Sequence, residues 1–389
     1  MTTPTSVIYT GRTFYAPTFE LELAGQNLSQ AIVRDVKEVT YNDSLEELDS
    51  FDFVLHDWDE ALRRPRYSSP YDENGNLLQL PDGSDIPNFD PGAAVTLRMG
   101  YQGADLVTML QGTIVTAAPS FPASGLPTLR LRAVNPLYRL QKRQETMSFE
   151  NKTDSEIAQE IGQALEIDVE IPPGQIQEET RYEFMSFTNQ YPIVFLMGRA
   201  RRLGYDLHIN QPDDGSDPTL FFGRRESTGP EYELRWGRDL VEFTPTVKTR
   251  GQVTKVTVRG WRPGGRGDDR RITGVATWDD VGLDLPDPKL LEAIDAALQE
   301  YEEEVVEDPI ESQDEADRKA LGILQKKLQD LITGRGTSVG VPEIRAGRLI
   351  AITGIGQRYS GVYRITQSTH KIDSNGYRTQ FSARLEGSL

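Results

Sequence analysis

Leu349-Ile-Ala-Ile-Thr353, Val362-Tyr-Arg-Ile-Thr-Gln-Ser-Thr-His-Lys-Ile372 and Tyr377-Arg-Thr-Gln-Phe-Ser-Ala-Arg-Leu385 follow one another near the end of a 389-residue chain. Each reads as a β-strand. Gly354-Ile-Gly356 marks the turn before the second, and Gly376 the turn before the third. The same plan occurs in the first third of the chain. Ala94–Met99 alternates, with Val95, Leu97 and Met99 in register. Met109–Ala117 and Thr128–Val134 follow, and in the latter Leu129 and Leu131 oppose Arg130 and Arg132. Alternation with period two puts one sheet face in a core and the other in water. A strand follows Gly92 in one block and Gly347 in the other. Gly112-Thr-Ile-Val-Thr is matched to Gly361-Val-Tyr-Arg-Ile-Thr, and Gly125-Leu-Pro-Thr128 to Gly376-Tyr-Arg-Thr379. Two readings stand: a duplicated meander, or two unrelated meanders that share strand-turn solutions.

Outward from these blocks, Phe19–Leu23 alternates and Phe51–Leu55 is a further strand. Arg63–Pro91 is polar, with Asn74-Gly75, Asp82-Gly83 and several prolines, and reads as a long loop. The middle is mixed α/β. Thr153 and Glu156 have capping-box spacing ahead of Ile157, Ile161 and Leu165. Asp168–Ile171 is a short strand. A second helix starts at Pro192, stops at Gly204 and carries Val194, Met197, Ala200 and Leu203 as its apolar face. Asp206–Ile209 and Thr219–Phe222 form a hairpin. Beyond them, Val253–Gly260 is a strand and Arg262–Arg271 a Gly/Arg-rich turn. Leu290, Leu291, Ile294, Leu298 and Tyr301 mark one helix. Ser312 and Glu315 cap another, which carries Leu321, Leu324, Leu328 and Leu331 before Gly334.

Composition narrows the function. Lys and Arg number 42 against 60 Asp and Glu, a net charge of −18, which disfavours general binding to nucleic acid or anionic membranes. There is no cysteine, so disulfides, thiol catalysis and Cys-based zinc sites are excluded together. Met1–Tyr15 lacks a basic start followed by an apolar core, and no apolar run approaches a membrane span. The expectation is a chain assembled in the cytoplasm without a signal peptide.

No constellation carries catalytic chemistry. His56, His208 and His370 lie in or beside strands without paired-ligand spacing and read as ordinary strand histidines. Gly354-Ile-Gly356 lies between strands, not before a helix, and reads as a turn. Arg266-Gly267-Asp268 sits by chance in a Gly/Arg-rich loop. Glu302-Glu303-Glu304 reads as solvated charge on helix surfaces and loops, or as charge facing a tube lumen. Trp236, Trp261 and Trp278 are core or interface anchors. Catalytic, cofactor and metal residues are therefore expected to be none. Two alternatives remain beside a structural role: a cell-wall hydrolase working through a carboxylate pair, and a glycan- or receptor-binding tail module.

Several segments together resemble the phage late control gene D proteins, the baseplate hubs of contractile tails, and the hub portion of VgrG-type spikes. They are Phe89-Asp-Pro-Gly92 leading into Val95-Thr-Leu-Arg, Leu110-Gln-Gly-Thr-Ile-Val with Pro119-Ser-Phe-Pro and Pro127-Thr-Leu-Arg-Leu-Arg, Val256-Thr-Val-Arg-Gly260-Trp261, and Ser360-Gly361-Val-Tyr363-Arg-Ile-Thr with Thr369-His370 and Gly376-Tyr-Arg-Thr-Gln-Phe381. The motif positions carried over are Gly92, Gly112, Gly125, Gly260, Trp261, Gly361, Tyr363, His370 and Gly376. The resemblance implies a mainly β fold with α/β insertions: two related antiparallel β-barrels of the tail-tube kind, a small α/β domain and a helical insertion. The expected division is residues 1–145, 146–232 and 233–389, the last with its helices at about 286–334. It further implies a homotrimer, contacts with an inner tube protein, a spike and other baseplate components, and no cofactor. No run of short β repeats follows the last strand to build a needle, so a separate spike protein is expected.

Overall fold

The computed structural model describes residues 6–7 and 14–386, except 73, 81–82, 84, 225–228, 262–270, 282–284, 299–300, 307–309 and 311. The Gly/Arg-rich turn, its Arg266-Gly267-Asp268, Asp82 and most of the N-terminal segment lie outside the described residues.

Six strands make a first unit: β1 (Pro17–Leu23), β2 (Val36–Ser44), β3 (Ser50–His56), β4 (Ala94–Tyr101), β5 (Val107–Ser120) and β6 (Thr128–Val134). They lie side by side in the order β1-β4-β5-β6-β3-β2. Inward-pointing Leu21, Tyr41, Phe51, Phe53, Leu97, Met99 and Leu131 fill one core. The long loop after β3 covers it, with Tyr67, Leu80, Ile86 and Phe89 buried against the barrel.

A middle segment follows, with five strands, two longer helices and the single turn of helix Gln175–Glu178 among its described residues. The strands and longer helices are β7 (Glu145–Lys152), α1 (Asp154–Ala164), β8 (Val169–Glu170), β9 (Tyr182–Gln190), α2 (Pro192–Leu203), β10 (Asp206–Asn210) and β11 (Thr219–Gly223). The Thr153 capping box forms. Pro192 opens α2, and Gly204 ends it in the left-handed conformation at φ 71°. The buried face of α2 is Ile193, Leu196, Arg199 and Ala200, one position away from the expected one, and Val194 is exposed. Arg199 can sit inside because Nη2 and Nε hold both oxygens of buried Asp154.

The second unit is β12 (Tyr232–Arg235), β13 (Leu240–Val247), β17 (Ile332–Val339), β18 (Leu349–Thr353), β19 (Gly361–Asp373) and β20 (Gly376–Leu385). Between β13 and β17 lie β14 (Lys255–Trp261), β15 (Arg271–Thr277), α3 (Pro288–Leu298), β16 (Glu302–Val306) and α4 (Gln313–Leu328). This insertion shares the second core with the strands. Two expectations are corrected here. The acidic run is strand β16, where Glu302, Glu303 and Glu304 pair with Lys255, Lys327 and Arg259. Gly334 does not end a helix; it lies in β17, where the Phe243 ring occupies the space of a side chain.

The second unit has the order β12-β18-β19-β20-β17-β13, the same as the first. Four of the five pairings also agree in direction; β1–β4 is antiparallel and β12–β18 parallel. The registers agree as well. Ile114 N–H reaches Ala93 O and Ile114 O receives Gly92 N–H at 2.8 Å; Ile365 makes the same pair with Arg348 and Gly347, again 2.8 Å for the glycine. The ladder slips after Ile114 in one unit and after Ile365 in the other. It slips between Val36 and Glu38 in β2 and between Leu240 and Glu242 in β13. Two independent bulges at matching places fix the equivalence. They also correct the glycine matching: Gly112 corresponds to Tyr363, not Gly361, and Thr128 to Arg378, not Thr379.

The two units are one sheet. β19 pairs with β18 through Gly361–Arg364 and then, past its bulge, with β2 through Gln367–Ile372. The outcome is a ribbon β13-β17-β20-β19-β2-β3-β6-β5, four strands from each unit.

Candidate functional site: the seam between the barrels

The β19–β2 joint carries a cluster of buried polar side chains, Asp43, Ser368, His370 and Arg345 among them. Asp43 lies on the inward phase of β2, after Val39 and Tyr41. Its Oδ1 accepts from Ser368 N at 3.1 Å and from Ser368 Oγ, and its Oδ2 accepts from Ala346 N at 3.0 Å. Arg345 Nε lies 3.5 Å from Oδ2. The rest of that guanidinium ties three parts of the chain together. Nη2 donates to Tyr41 Oη at 2.7 Å and Met109 O at 2.9 Å; Nη1 donates to Thr108 O at 3.2 Å and Gln211 O at 3.3 Å. Arg345 is 5% exposed and Asp43 4%, so the pair is stable only because its remaining donors and lone pairs are also satisfied.

His370, on β19, is fully buried beside them. Its Nε2 is 2.9 Å from Ile344 O, and its Nδ1 is 3.0 Å from Tyr377 Oη. A carbonyl only accepts, so Nε2 carries the proton and Nδ1 accepts from a hydroxyl. Burial, with Arg345 and Arg348 nearby, lowers the imidazole from its usual 6.5 to about 4, so it is neutral at physiological pH. Asp49 closes the cluster on the other side, receiving Asn135 Nδ2 at 2.8 Å. Burial and the Asp43 charge raise its carboxyl from 3.8 to about 7. Arg348 holds Asp213 at 2.6 Å, and the loop after β10 is thereby clipped to the seam.

The cluster's hydrogen bonds tie β2, β19 and the Arg345 segment to one another. Among the described residues no group of three His, Asp or Glu could hold a metal ion. The seam's carboxylates and its imidazole point into hydrogen bonds inside a packed interface. A larger cleft of about 500 Å³ lies where α2 and α4 meet. Its wall carboxylate Glu179 is held by Ser155 and Gln175. Lys319 is lowered to about 8 there by burial and by the charges of Arg202 and Arg199.

Of the sequence-selected residues, only His370 lies in the seam. Gly92 is in the turn before β4, Gly125 in the β5–β6 hairpin and Gly376 in the β19–β20 hairpin. Gly112 lies within β5, where a Cβ would meet Val134 O at 2.1 Å, so only glycine fits. Gly260 and Trp261 are in β14; Gly361 opens β19. Tyr363 is buried and donates to Tyr359 O at 2.7 Å. Asp43, Arg345, Tyr41 and Ser368 belong to no sequence motif. The legible signal was an Asp on the buried phase of an otherwise apolar alternation.

Among the described residues no helix is long and apolar enough to cross a membrane. Two units of one strand order joined through a shared strand make up the fold, and solved structures share that fold. It is similar to the 43 kDa tail protein of prophage MuSo2 from Shewanella oneidensis, with TM-score 0.66 and 14% identity over 95% of this chain and 98% of that one. A tail protein from Neisseria meningitidis gives TM-score 0.65 and 14% identity, covering 96% and 97%. The E. coli c3393 protein, a type VI secretion component similar to T4 tail proteins gp27 and gp5, gives 0.57 and 12%, covering 94% and 77%. At such identities the likeness is one of fold. The chain belongs to the family described as Alg8 N-terminal domain, whose model matches residues 79–374. No curated protein matches the sequence.

Proposed function

We propose that this chain is a structural hub of a contractile tail or tail-like injection system, of the late control gene D kind, and not an enzyme. It works as a trimer that joins a hexameric inner tube to a trimeric spike and starts tube assembly. The observation that carries the reading is the repetition of one six-strand unit, bulges included, within a single chain. Three copies then offer six similar barrels to a sixfold tube, while the three middle segments keep threefold symmetry for the spike. The proposed division at about residues 145 and 232 is supported by the spans of these units. Spike, tube and other baseplate proteins are its partners, and it assembles in the bacterial cytoplasm as part of a particle. The outward row Glu242, Thr337, Gln380, Thr369 and Asn42 runs across the ribbon and suits a wet bore.

Mass measurement of the purified chain, alone and with its tube and spike proteins, tests this. A trimer that seeds tube polymerisation is the expected result. A monomer that ignores both partners, or turnover of peptidoglycan abolished by one carboxylate substitution, overturns it.

A further inference from the structure

The ribbon has two open ends. Among the described residues β13 pairs only with β17, and the distal half of β5, Thr116–Ser120, pairs only with β6. Thr116, Ala118, Pro119 and Ser120 are exposed, as are Val241, Glu242, Thr244 and Thr246. The matched registers say what these ends are. β13 corresponds to β2, and distal β5 corresponds to the distal part of β19. Those two counterparts are the strands that pair with each other at the internal seam.

The geometry points to a second copy of this chain as the occupant of both ends: β13 of one copy pairs antiparallel with the distal half of β5 of the next, in the register of the internal joint. There Gln367 faces Ser44, Thr369 faces Asn42 and Lys371 faces Thr40. Between copies Thr116 then faces Lys248, Ala118 faces Thr246 and Ser120 faces Thr244. Such a contact uses different surfaces on the two partners, so it propagates head to tail and closes into a ring when the rotation allows. This rests on the trimeric hub reading and specifies which strands make the trimer.

The two joints are not equally strong. Tyr41 and Asp43 of the internal seam correspond to Pro245 and Val247, and Ser368 and His370 correspond to Ala117 and Pro119. Every hydroxyl, carboxylate and imidazole of the lock is replaced by a group that offers no side-chain hydrogen bond. Pro119 and Pro245 face each other where His370 faces Tyr41, and neither has a backbone N–H to give. Proline on an edge strand restrains edge-to-edge pairing. The seam within the chain is therefore permanent, and the seam between chains is reversible.

The absence of cysteine gives a clean background for disulfide trapping. At the internal joint, Thr369 Oγ1 lies 2.8 Å from Asn42 Oδ1, so N42C/T369C serves as the intrachain control. A mixture of Ala118→Cys and Thr246→Cys full-length chains, oxidised together, should accumulate a covalent heterodimer, with little homodimer from either alone. No heterodimer while the control closes overturns the pairing, as does T246C linking to itself as readily. A trimer by mass without the heterodimer sinks the strand assignment and leaves the hub reading standing; absence of any oligomer with tube and spike sinks both. Independently, Pro119→Thr with Pro245→Val restores two donors and should lower the self-dissociation constant roughly tenfold. An unchanged constant contradicts the unequal joints.

Discussion

Asp43 and Arg345 are each worth little alone and a great deal together. Removing one partner of a buried, hydrogen-bonded pair strands the other charge, at a cost of about 3–5 kcal/mol. Arg345→Met should lose about that much in denaturant unfolding, because Asp43 keeps its burial but loses its counter-ion. The flanking groups make the seam's pH response a balance of opposites. His370 falls from 6.5 to about 4 in the fold, so the unfolded chain binds its proton first. Its stabilisation is complete above 6.5 and is lost as pH falls towards 4, about 3 kcal/mol in all. Asp49 rises from 3.8 to about 7, so its contribution is complete below 3.8 and is lost as pH climbs to 7. Between 4 and 6.5 the two slopes oppose each other. In Asp49→Asn, stability should climb with pH across that window; in His370→Gln it should fall. Urea midpoints at four or five pH values separate the two, and parallel profiles would contradict this account.

At the level of elements, strands that alternate large apolar with polar residues were readable: β1, β3, β4, β6 and the last three. Those that escaped did so for identifiable reasons. β2 places a carboxylate on its buried phase. β17 reads Ile-Thr-Gly-Arg-Gly-Thr-Ser-Val, a poor strand by composition. Its inward positions Gly334 and Gly336 are small because Phe243 and Phe381 from adjacent strands fill the space beneath them. β13 carries a proline, tolerable only because that side of the strand is open. The seam was less legible than the fold, since Asp43 and Arg345 are 302 residues apart and only the sheet order brings them together. Gly112→Ala should cost about 1–3 kcal/mol through its clash with the Val134 carbonyl. Ser312→Ala removes the acceptor for Glu315 N at 3.2 Å and should cost about 1 kcal/mol. Thermal unfolding of both variants checks the order: the glycine change is the larger.

For the whole molecule, repetition of one strand order inside one chain removes a constraint that six identical subunits would impose. The first unit grows a long covering loop between its third and fourth strands; the second grows β14–α4 between its second and third. A trimer of such chains would show two kinds of barrel in alternation, so tube subunits docked on it would be related in pairs. Symmetry-free imaging of the hub with its first tube ring should show occupancy at six positions with two distinguishable environments.

One strand, β19, belongs to both barrels. Where most neighbouring domains are joined by a linker that can swivel, here the backbone of a single extended element crosses the boundary. Torque applied to one barrel reaches the other along this backbone and across the β19–β2 ladder, with no compliant loop to dissipate it. Mechanically the pair is a beam; if copies join through its open ends as proposed, those ends are its weakest points under load, and failure would begin between chains and leave each chain whole.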